Sequence, residues 1–549
     1  MRWYKSSVIY QIYPRSFQDS NHDGIGDLPG IISRLDYLQH LGVTAIWLSP
    51  IYASPLYDNG YDIADYCAIH PDYGTMADFQ KLLAEAHRRQ IKIIMDLVIN
   101  HTSSEHSWFK QAISDEKSPY RDYYFIRSGK KKPNNWTSFF GGSAWTYLPN
   151  ENLSYLHLFA PEQPDLNWEN PQLRMEIKNI LRFWLDMGVD GFRCDVINLL
   201  SKPKKLRNSR RFLVLKGAEY YINGPKIHEY LQELKRDVFN QYDMMTVGEC
   251  VFITPAKALE YIEEGVDELN MVFQFDHMAV DNYFKWFLRP FKPYRLKLAL
   301  AKWQDAINGR GWNSLYLENH DQPRSVSRFG NLDYYYASAT MLATLVFFQQ
   351  GTPFIYQGQE IGMTNAHFTS LNQYRDVETK RIYQIGRTQL KLSHKRMMHK
   401  IKYMSRDNAR TPMQWDDSKH GGFSDANPWI EANPNFVTIN VKDNLANEHS
   451  IFHYYQKLIA LRKTYSVIIE GDFKLHYPKH RALVYYERCF QDQQLIVLCN
   501  YSTKPLSFKP LHDFSEFTVI LDNDDNKGPV LQAYQARVLF RRTADDKHS

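Results

Sequence analysis

Cysteine is scarce in this chain. Cys67, Cys194, Cys250, Cys489 and Cys499 are the only five in 549 residues, an odd number with no disulfide-framework or zinc-site spacing. Reduced thiols in a cytoplasmic protein are the economical expectation. Long apolar runs are also missing: none approaches the roughly 20 residues of a membrane-spanning helix. The opening MRWYKSSVIYQIYP has neither the charged start nor the apolar centre of a secretory signal. Charge of one sign is not in excess either, since a net +5 over this length gives no case for nucleic acid as a partner. The one dense basic run, SKPKKLRNSRR at 201–211, reads first as a solvated loop. Repeats and low-complexity tracts are absent. What remains is a soluble chain that needs neither membrane nor nucleic acid, with the oligomeric state left open and a monomer allowed.

The length exceeds one ordinary core, and 44% hydrophobic with 15% aromatic residues argues for a folded chain; the aromatic share also suits a surface that stacks on sugars, although aromatics more often fill a core. Eight short β-branched runs punctuate the chain: 7–14, 45–50, 91–100, 191–196, 244–249, 271–275, 313–321 and 352–360. Amphipathic segments lie between them. MADFQKLLAEAHRRQ (76–90) puts Phe79, Leu82, Leu83 and Ala86 on one stripe, and 173–188 does the same with Leu173, Ile177, Ile180, Leu181 and Trp184. Eight β/α alternations predict an α/β fold, a (β/α)8 TIM barrel. The interval 101–171 is too long for a plain connection and predicts a small domain inserted after the third strand. The barrel then occupies 1–100 and 172–469. Strand-like alternation from 470 to 549, without barrel-type helices, predicts a C-terminal antiparallel β domain built as a sandwich.

Polar residues gather where these strands end. GFRCDVINLL (191–200) sets Arg193 and Asp195 two apart, on one face of a strand. Asp96, Asn100 and His101 close the third strand, Glu249 the fifth, and His320 and Asp321 the seventh. Singly each reads as a cap or a paired charge. Together they ring the end of a barrel where chemistry sits. Carboxylates as principal actors suit glycoside hydrolysis, in which one attacks the anomeric carbon and another protonates the leaving oxygen. Crowding raises the pKa of the donor, and Arg193 is expected to keep Asp195 ionised.

DLVINH (96–101), GFRCDVIN (191–198), VGE (247–249) and ENHD (318–321) are similar, in order, to the four signature regions of the α-amylase superfamily of glycoside hydrolases. DNGYDIADY, PDLNWENP, MVFQFDHM and GWNSLYLENHDQPR resemble most its oligo-1,6-glucosidase, dextran glucosidase and trehalose-6-phosphate hydrolase group. The resemblance covers essentially the whole chain. It implies Asp195 as nucleophile, Glu249 as general acid/base and Asp321 as a third carboxylate that holds sugar hydroxyls. It implies that Arg193, His101 and His320 line the same subsite, with Tyr61 as a stacking platform and Phe159 on the apolar wall. Asp58 and Arg406 match a pair that closes the pocket behind the non-reducing end. One departure is Gln359 in QGQEIGM, where the group carries glutamate; it touches loop contacts more than catalysis.

By the same resemblance, Val196 after the nucleophile goes with α-1,6 linkages. The implied substrate is a small isomalto-oligosaccharide, cut at its non-reducing end. Trehalose 6-phosphate is the alternative, for which the basic run 201–211 would suit the phosphate. An α-1,4-glucosidase, a sucrose isomerase and an inactive transporter-associated homologue rank lower. DSNHDGIGD spaces Asp19, Asn21, Asp23 and Asp27 at positions 1, 3, 5 and 9 of a loop, with Gly24 at the turn. With the carbonyl of Ile25, these oxygens suit a structural calcium ion, as the related glucosidases carry. An Asx-rich turn is the rival reading, since no glutamate follows at position 12. No organic cofactor is implied.

Overall fold

The computed structural model describes residues 2–211, 215–266 and 268–542. All eight expected strands form, as Ile9–Ile12, Ala45–Leu48, Lys92–Leu97, Gly191–Cys194, Met245–Glu249, Met271–Phe273, Ser314–Leu315 and Thr352–Tyr356. They pair in parallel in chain order, and the eighth returns to the first through Ile9 opposite Phe354. The sixth and seventh strands share no ladder among the described residues. Hydroxyls bridge this seam instead: Ser314 Oγ donates to the Val272 carbonyl (2.8 Å) and Tyr316 Oη to that of Gln274 (2.6 Å). The barrel is thus nearly closed.

The ladders are shorter than the apolar runs that predict them, most of all in 313–321, where pairing stops at Leu315. Residues beyond that point turn away from the sheet and are spent on the site. The helices follow their stripes. Met76–Arg88 starts in a reciprocal capping box between Thr75 and Asp78 and buries Phe79, Leu82, Leu83 and Ala86. Pro171–Met187 starts at Asn170, whose side chain accepts from two amides, and stops at Gly188, where φ is 108°. Both lay the expected apolar faces on the barrel wall.

The interval 101–171 holds a helix, Ser107–Ser114, and a three-stranded antiparallel sheet of Ile126–Ser128, Leu153–Leu156 and Trp145–Leu148. After the sixth strand, Asn282–Tyr283 and Phe287–Leu288 make a short hairpin. After the eighth come the helices Val377–Thr388 and His394–Met404. The C-terminal region is one five-stranded antiparallel sheet, not two facing sheets. Its strands alternate between two buried faces. Val484, Tyr486 and Val497 pack toward the main core, while Leu483, Tyr485, Ile496 and Leu498 pack under Leu506, Phe508, Phe514 and Phe517. Loops and a short 3-10 turn, Phe514–Glu516, supply the layer that a second sheet would have given.

Candidate active site

Arg193 is the hub of the barrel mouth. One terminal nitrogen donates to Asp96 Oδ1 (2.8 Å) and Asp195 Oδ1 (2.6 Å), and the other to Glu249 Oε2 (2.6 Å). The register places these groups together, since Asp96 faces Arg193 across one ladder and Val247 faces it across the next. Three carboxylates therefore surround one buried guanidinium. Burial raises all of them, and Arg193 offsets it only in part: Asp96 to about 6, Asp195 to about 7 and Glu249 to about 8. The expectation that Arg193 keeps Asp195 ionised is thereby corrected. A single guanidinium shared three ways does not balance the desolvation of three carboxylates, so the cluster holds protons near neutrality.

Val196 follows Asp195 with φ 36° and ψ 41°, left-handed backbone that a β-branched residue adopts only under strain. The turn aims its amide at Glu249 Oε2, 3.3 Å away. The Val196 side chain packs in a buried cluster with Phe125, Trp145, Leu158 and Leu199, against which Phe139 and Phe159 are partly buried. The inserted region thus forms one wall of the site. Phe159 stacks on Phe139 with centroids 5.1 Å apart and leans on His101 at 5.3 Å.

A second chain of contacts fixes the imidazoles. Gln11 Nε2 donates to His320 Nδ1 (2.7 Å), which leaves the proton on Nε2, 2.6 Å from the Tyr61 hydroxyl. Tyr61 in turn donates to Asp96 Oδ2 (2.9 Å), and its ring lies within 4° of parallel to that of His320. Burial lowers His320 to about 3, so it is neutral at ordinary pH. Asn100 donates to His101 Nδ1 (3.1 Å), and His101 Nε2 donates to the Tyr61 carbonyl (2.9 Å). Burial lowers His101 as well. Both imidazoles are built as neutral hydrogen-bond donors.

Arg406 closes the opposite side. It donates to Asp58 Oδ1 (2.8 Å) and to Asp376 Oδ1, and it lies 3.4 Å from Asp321 Oδ1. Arg410 donates to Asp321 Oδ1 (2.7 Å) and to the His320 carbonyl (2.9 Å). Burial alone would raise Asp321, but His320, Arg406 and Arg410 more than offset it and hold the carboxyl well below its usual range. With His320 neutral, the two guanidiniums do most of this work at ordinary pH, and the Lys285 ammonium adds to it. Asp321 is therefore an anion where Glu249 is an acid.

The structure brings together Asp195, Glu249, Asp321, Asp58, Tyr61, His101, Arg193, Val196, His320 and Arg406, with Phe159 on the wall. Sequence reasoning missed Arg410, Asp376, Gln11 and Gln163, whose amide lies 3.3 Å from Asp58 Oδ2. Arg410 stands four residues after Arg406, a helical spacing that could have flagged it. Asp376 was hidden by an ordinary capping position ahead of Val377–Thr388. Gln359 accepts from the Tyr356 amide (3.1 Å) and belongs to its own loop.

The basic run is not uniformly solvated. Lys202 is fully buried, paired with Asp165 Oδ2 at 2.7 Å and donating to Asn100 Oδ1 at 2.8 Å. Farther on, Trp136 Nε1 donates to the Arg207 carbonyl (2.9 Å), the Asn135 amide donates to Asn208 Oδ1, and the Asn135 side chain exchanges bonds with the Ser209 backbone. Lys204, Lys205, Arg207 and Arg210 remain exposed.

The candidate ligands of loop 19–27, Asp19, Asn21, Asp23, Asp27 and the Ile25 carbonyl, offer oxygen, in keeping with a hard cation, while the His22 imidazole lies beside Asp425. Asp19, Asn21 and Asp23 each accept the amide two residues on, which sets their side chains along one turn. Among the described residues no group of three or more His, Cys, Asp or Glu side chains is arranged to hold a metal, so the carboxylates of Asp19, Asp23 and Asp27 would have to draw together around an ion.

A parallel eight-stranded barrel with a carboxylate cluster at the C-terminal ends of its strands is a barrel enzyme whose chemistry sits in its βα loops. Residues 11–471 match the alpha-amylase catalytic domain, and the chain belongs to that family. It is 51% identical to an oligo-1,6-glucosidase of Halalkalibacterium halodurans, over 98% of this chain and 99% of that one. Among solved structures, a Bacillus licheniformis trehalose-6-phosphate hydrolase matches with TM-score 0.94 at 43% identity, covering 98% of this chain and 100% of that one. An isomaltulose synthase of Protaminobacter rubrum matches with TM-score 0.95 at 38% identity, covering 98% and 99%.

Proposed function

We propose that this protein is a retaining α-glucosidase that removes glucose from the non-reducing end of α-1,6-linked oligosaccharides. The observation that carries the reading is the sharing of Arg193 by Asp195 and Glu249, on neighbouring nitrogens of one guanidinium. Such sharing suits the short carboxyl separation of retaining enzymes, about 5–5.5 Å, rather than the wider gap that leaves room for water in inverting ones. In this reading Asp195 attacks the anomeric carbon while Glu249 gives its proton to the departing oxygen. The ester so formed is then cleaved by water, whose proton returns to Glu249. Asp321, held anionic by Arg406 and Arg410, accepts hydrogen bonds from sugar hydroxyls. Asp58, Arg406, Asp376 and Gln163 shut the pocket behind one sugar, which supports exo action.

The α-1,6 preference rests on Val196 and on the name of the oligo-1,6-glucosidase relative. Trehalose-6-phosphate hydrolysis is the second reading, favoured by the structural match to that enzyme and by the exposed cations of 204–210. Lys202 offers nothing to a phosphate, because Asp165 already occupies it. The deciding experiment compares isomaltose, isomaltotriose, maltose, sucrose and trehalose 6-phosphate, with NMR of the first glucose released. Isomaltose cleavage giving α-glucose is expected. β-Glucose as the first product overturns retention, and turnover of trehalose 6-phosphate alone transfers the assignment to the second reading.

A structural calcium ion on Asp19, Asn21, Asp23, Asp27 and the Ile25 carbonyl belongs to the same proposal, supported by the oxygen atoms that these five residues offer. A cytoplasmic location is likewise proposed, supported by five unpaired cysteines. No helix among the described residues is long and apolar enough to cross a membrane.

A further inference from the structure

The hairpin after the sixth strand spends stability in a way its fold does not require. Phe284 and Lys285 both sit at positive φ, 50° and 61°, where turns ordinarily place Gly or Asn. Tyr283, Phe284 and Phe287 are 58%, 55% and 53% exposed, so three large rings face water within five residues. The hairpin is nonetheless firmly tied down. Lys285 Nζ donates to Glu378 Oε2 (2.6 Å), Trp286 Nε1 donates to Glu378 Oε1 (2.8 Å), and Lys400 Nζ donates to the Trp286 carbonyl (2.6 Å).

Those ties lead into the site. Glu378 lies 3.6 Å from Arg406, the residue that holds Asp58 and approaches Asp321, and the charge of Lys285 is felt at Asp321. The hairpin is therefore tied, through Glu378 and Arg406, to the edge of the site that holds the carboxylate cluster. The inner end is closed by Asp58, Arg406 and Gln163, so sugar units beyond the scissile bond leave toward the exposed side. A pyranose ring presents an apolar face of C–H groups that packs on a flat aromatic ring. Arg289 covers one face of Tyr283 at 4.5 Å and Lys400 approaches Phe287 at 5.7 Å, whereas Phe284 has no ring or cation partner among the described residues.

We propose that this hairpin is an aromatic platform, centred on Phe284, on which a glucose unit beyond the scissile bond stacks, so that the enzyme favours substrates longer than a disaccharide. The proposal rests on the α-glucosidase reading and adds chain-length preference to it. It is tested by kcat/KM on isomaltose and isomaltotriose for the wild type, Phe284→Ala, Phe284→Gly and Phe284→Trp. The ratio of trisaccharide to disaccharide falls on the order of tenfold in Phe284→Ala, mainly through KM, as expected for loss of an apolar contact. Phe284→Gly relieves the backbone strain and loses the ring, so it shows the same fall. Phe284→Trp keeps the ratio. An unchanged ratio in the Ala and Gly variants overturns the platform. Release of p-nitrophenol from its α-glucoside by the wild type reports on the catalytic reading separately, so the two can fail independently.

Discussion

Lys202 and Asp165 form an ion pair 2.7 Å long in which neither side chain reaches solvent. It joins the loop after the fourth strand to the inserted region, and Asn100 at the end of the third strand completes the junction. Burial lowers the Lys202 pKa, but the carboxylate keeps its ammonium in place. Removing one partner strands the other charge, at a cost of about 3–5 kcal/mol. Lys202→Met is therefore expected to lower the unfolding midpoint clearly. Calorimetry checks this, and a midpoint within error of the wild type would contradict it.

The pH dependence of catalysis follows from the raised carboxyls. Asp195 must lose its proton to attack, and Glu249 must keep its own to donate it. With Asp195 near 7 and Glu249 near 8, kcat/KM is bell-shaped, rising through about 7 and falling through about 8. An acid limb near 4 would show that Arg193 does hold Asp195 ionised after all. Asp195→Asn abolishes turnover and leaves the circular dichroism spectrum unchanged.

The same shift has a stability signature. The folded protein holds a proton on Glu249 up to about 8, whereas the unfolded chain releases it near 4.5. The folded state binds more protons across that window, so this group's contribution falls as pH rises from about 4.5 to about 8. Glu249→Gln removes the titration. The variant should gain on the order of 1–3 kcal/mol relative to the wild type at high pH, and little at low pH. Thermal denaturation at pH 4.5 and pH 8.5 reads the difference, and an equal effect at both would refute the assignment.

Linkage preference is tested at Val196. Val196→Thr keeps the volume and adds a hydroxyl to an apolar wall. Activity on maltose relative to isomaltose should rise, within the roughly 10–200-fold range that methylene-sized contacts discriminate. A wild type that prefers maltose sinks the α-1,6 proposal.

Loop 19–27 gives a metal-dependent expectation. A ligand at one hundred times its Kd stabilises the fold by about 2.7 kcal/mol, so exhaustive chelation should lower the melting temperature and added calcium restore it. An unchanged midpoint, with no ion found by metal analysis, leaves only an Asx turn.

The eight strands were legible because β-branched runs bounded by turns are a local signal, and their polar ends stood out against it. The site's principal carboxylates could be read for the same reason. Pairings between distant segments could not. Asp58 and Arg406 were joined only by resemblance, and nothing local in Asp376 or Gln163 announces the pocket. Lys202 misled because composition registers a charge without its partner. Asp195 misled because an arginine two residues away is visible in a sequence, while the burial that outweighs it is not. The C-terminal alternation indicated two apolar faces correctly, but not that loops would cover one of them.

The seam between the sixth and seventh strands interrupts the ladder around the mouth. Asp195 and Glu249 follow adjacent strands, the fourth and fifth, whose ladder runs from Met245 opposite Gly191 to Gly248 opposite Cys194. The two groups that break and make bonds to carbon are therefore mounted on one continuous plate, and their spacing is set by backbone. Asp321 follows the seventh strand, which is laddered to the eighth and meets the sixth through the hydroxyls of Ser314 and Tyr316 and the packing of Tyr316 on Phe273, not through a ladder among the described residues. The hand that grips the sugar and the pair that cuts it thus lie on either side of the seam, and the ladder joins them the long way round, through the eighth, first, second and third strands.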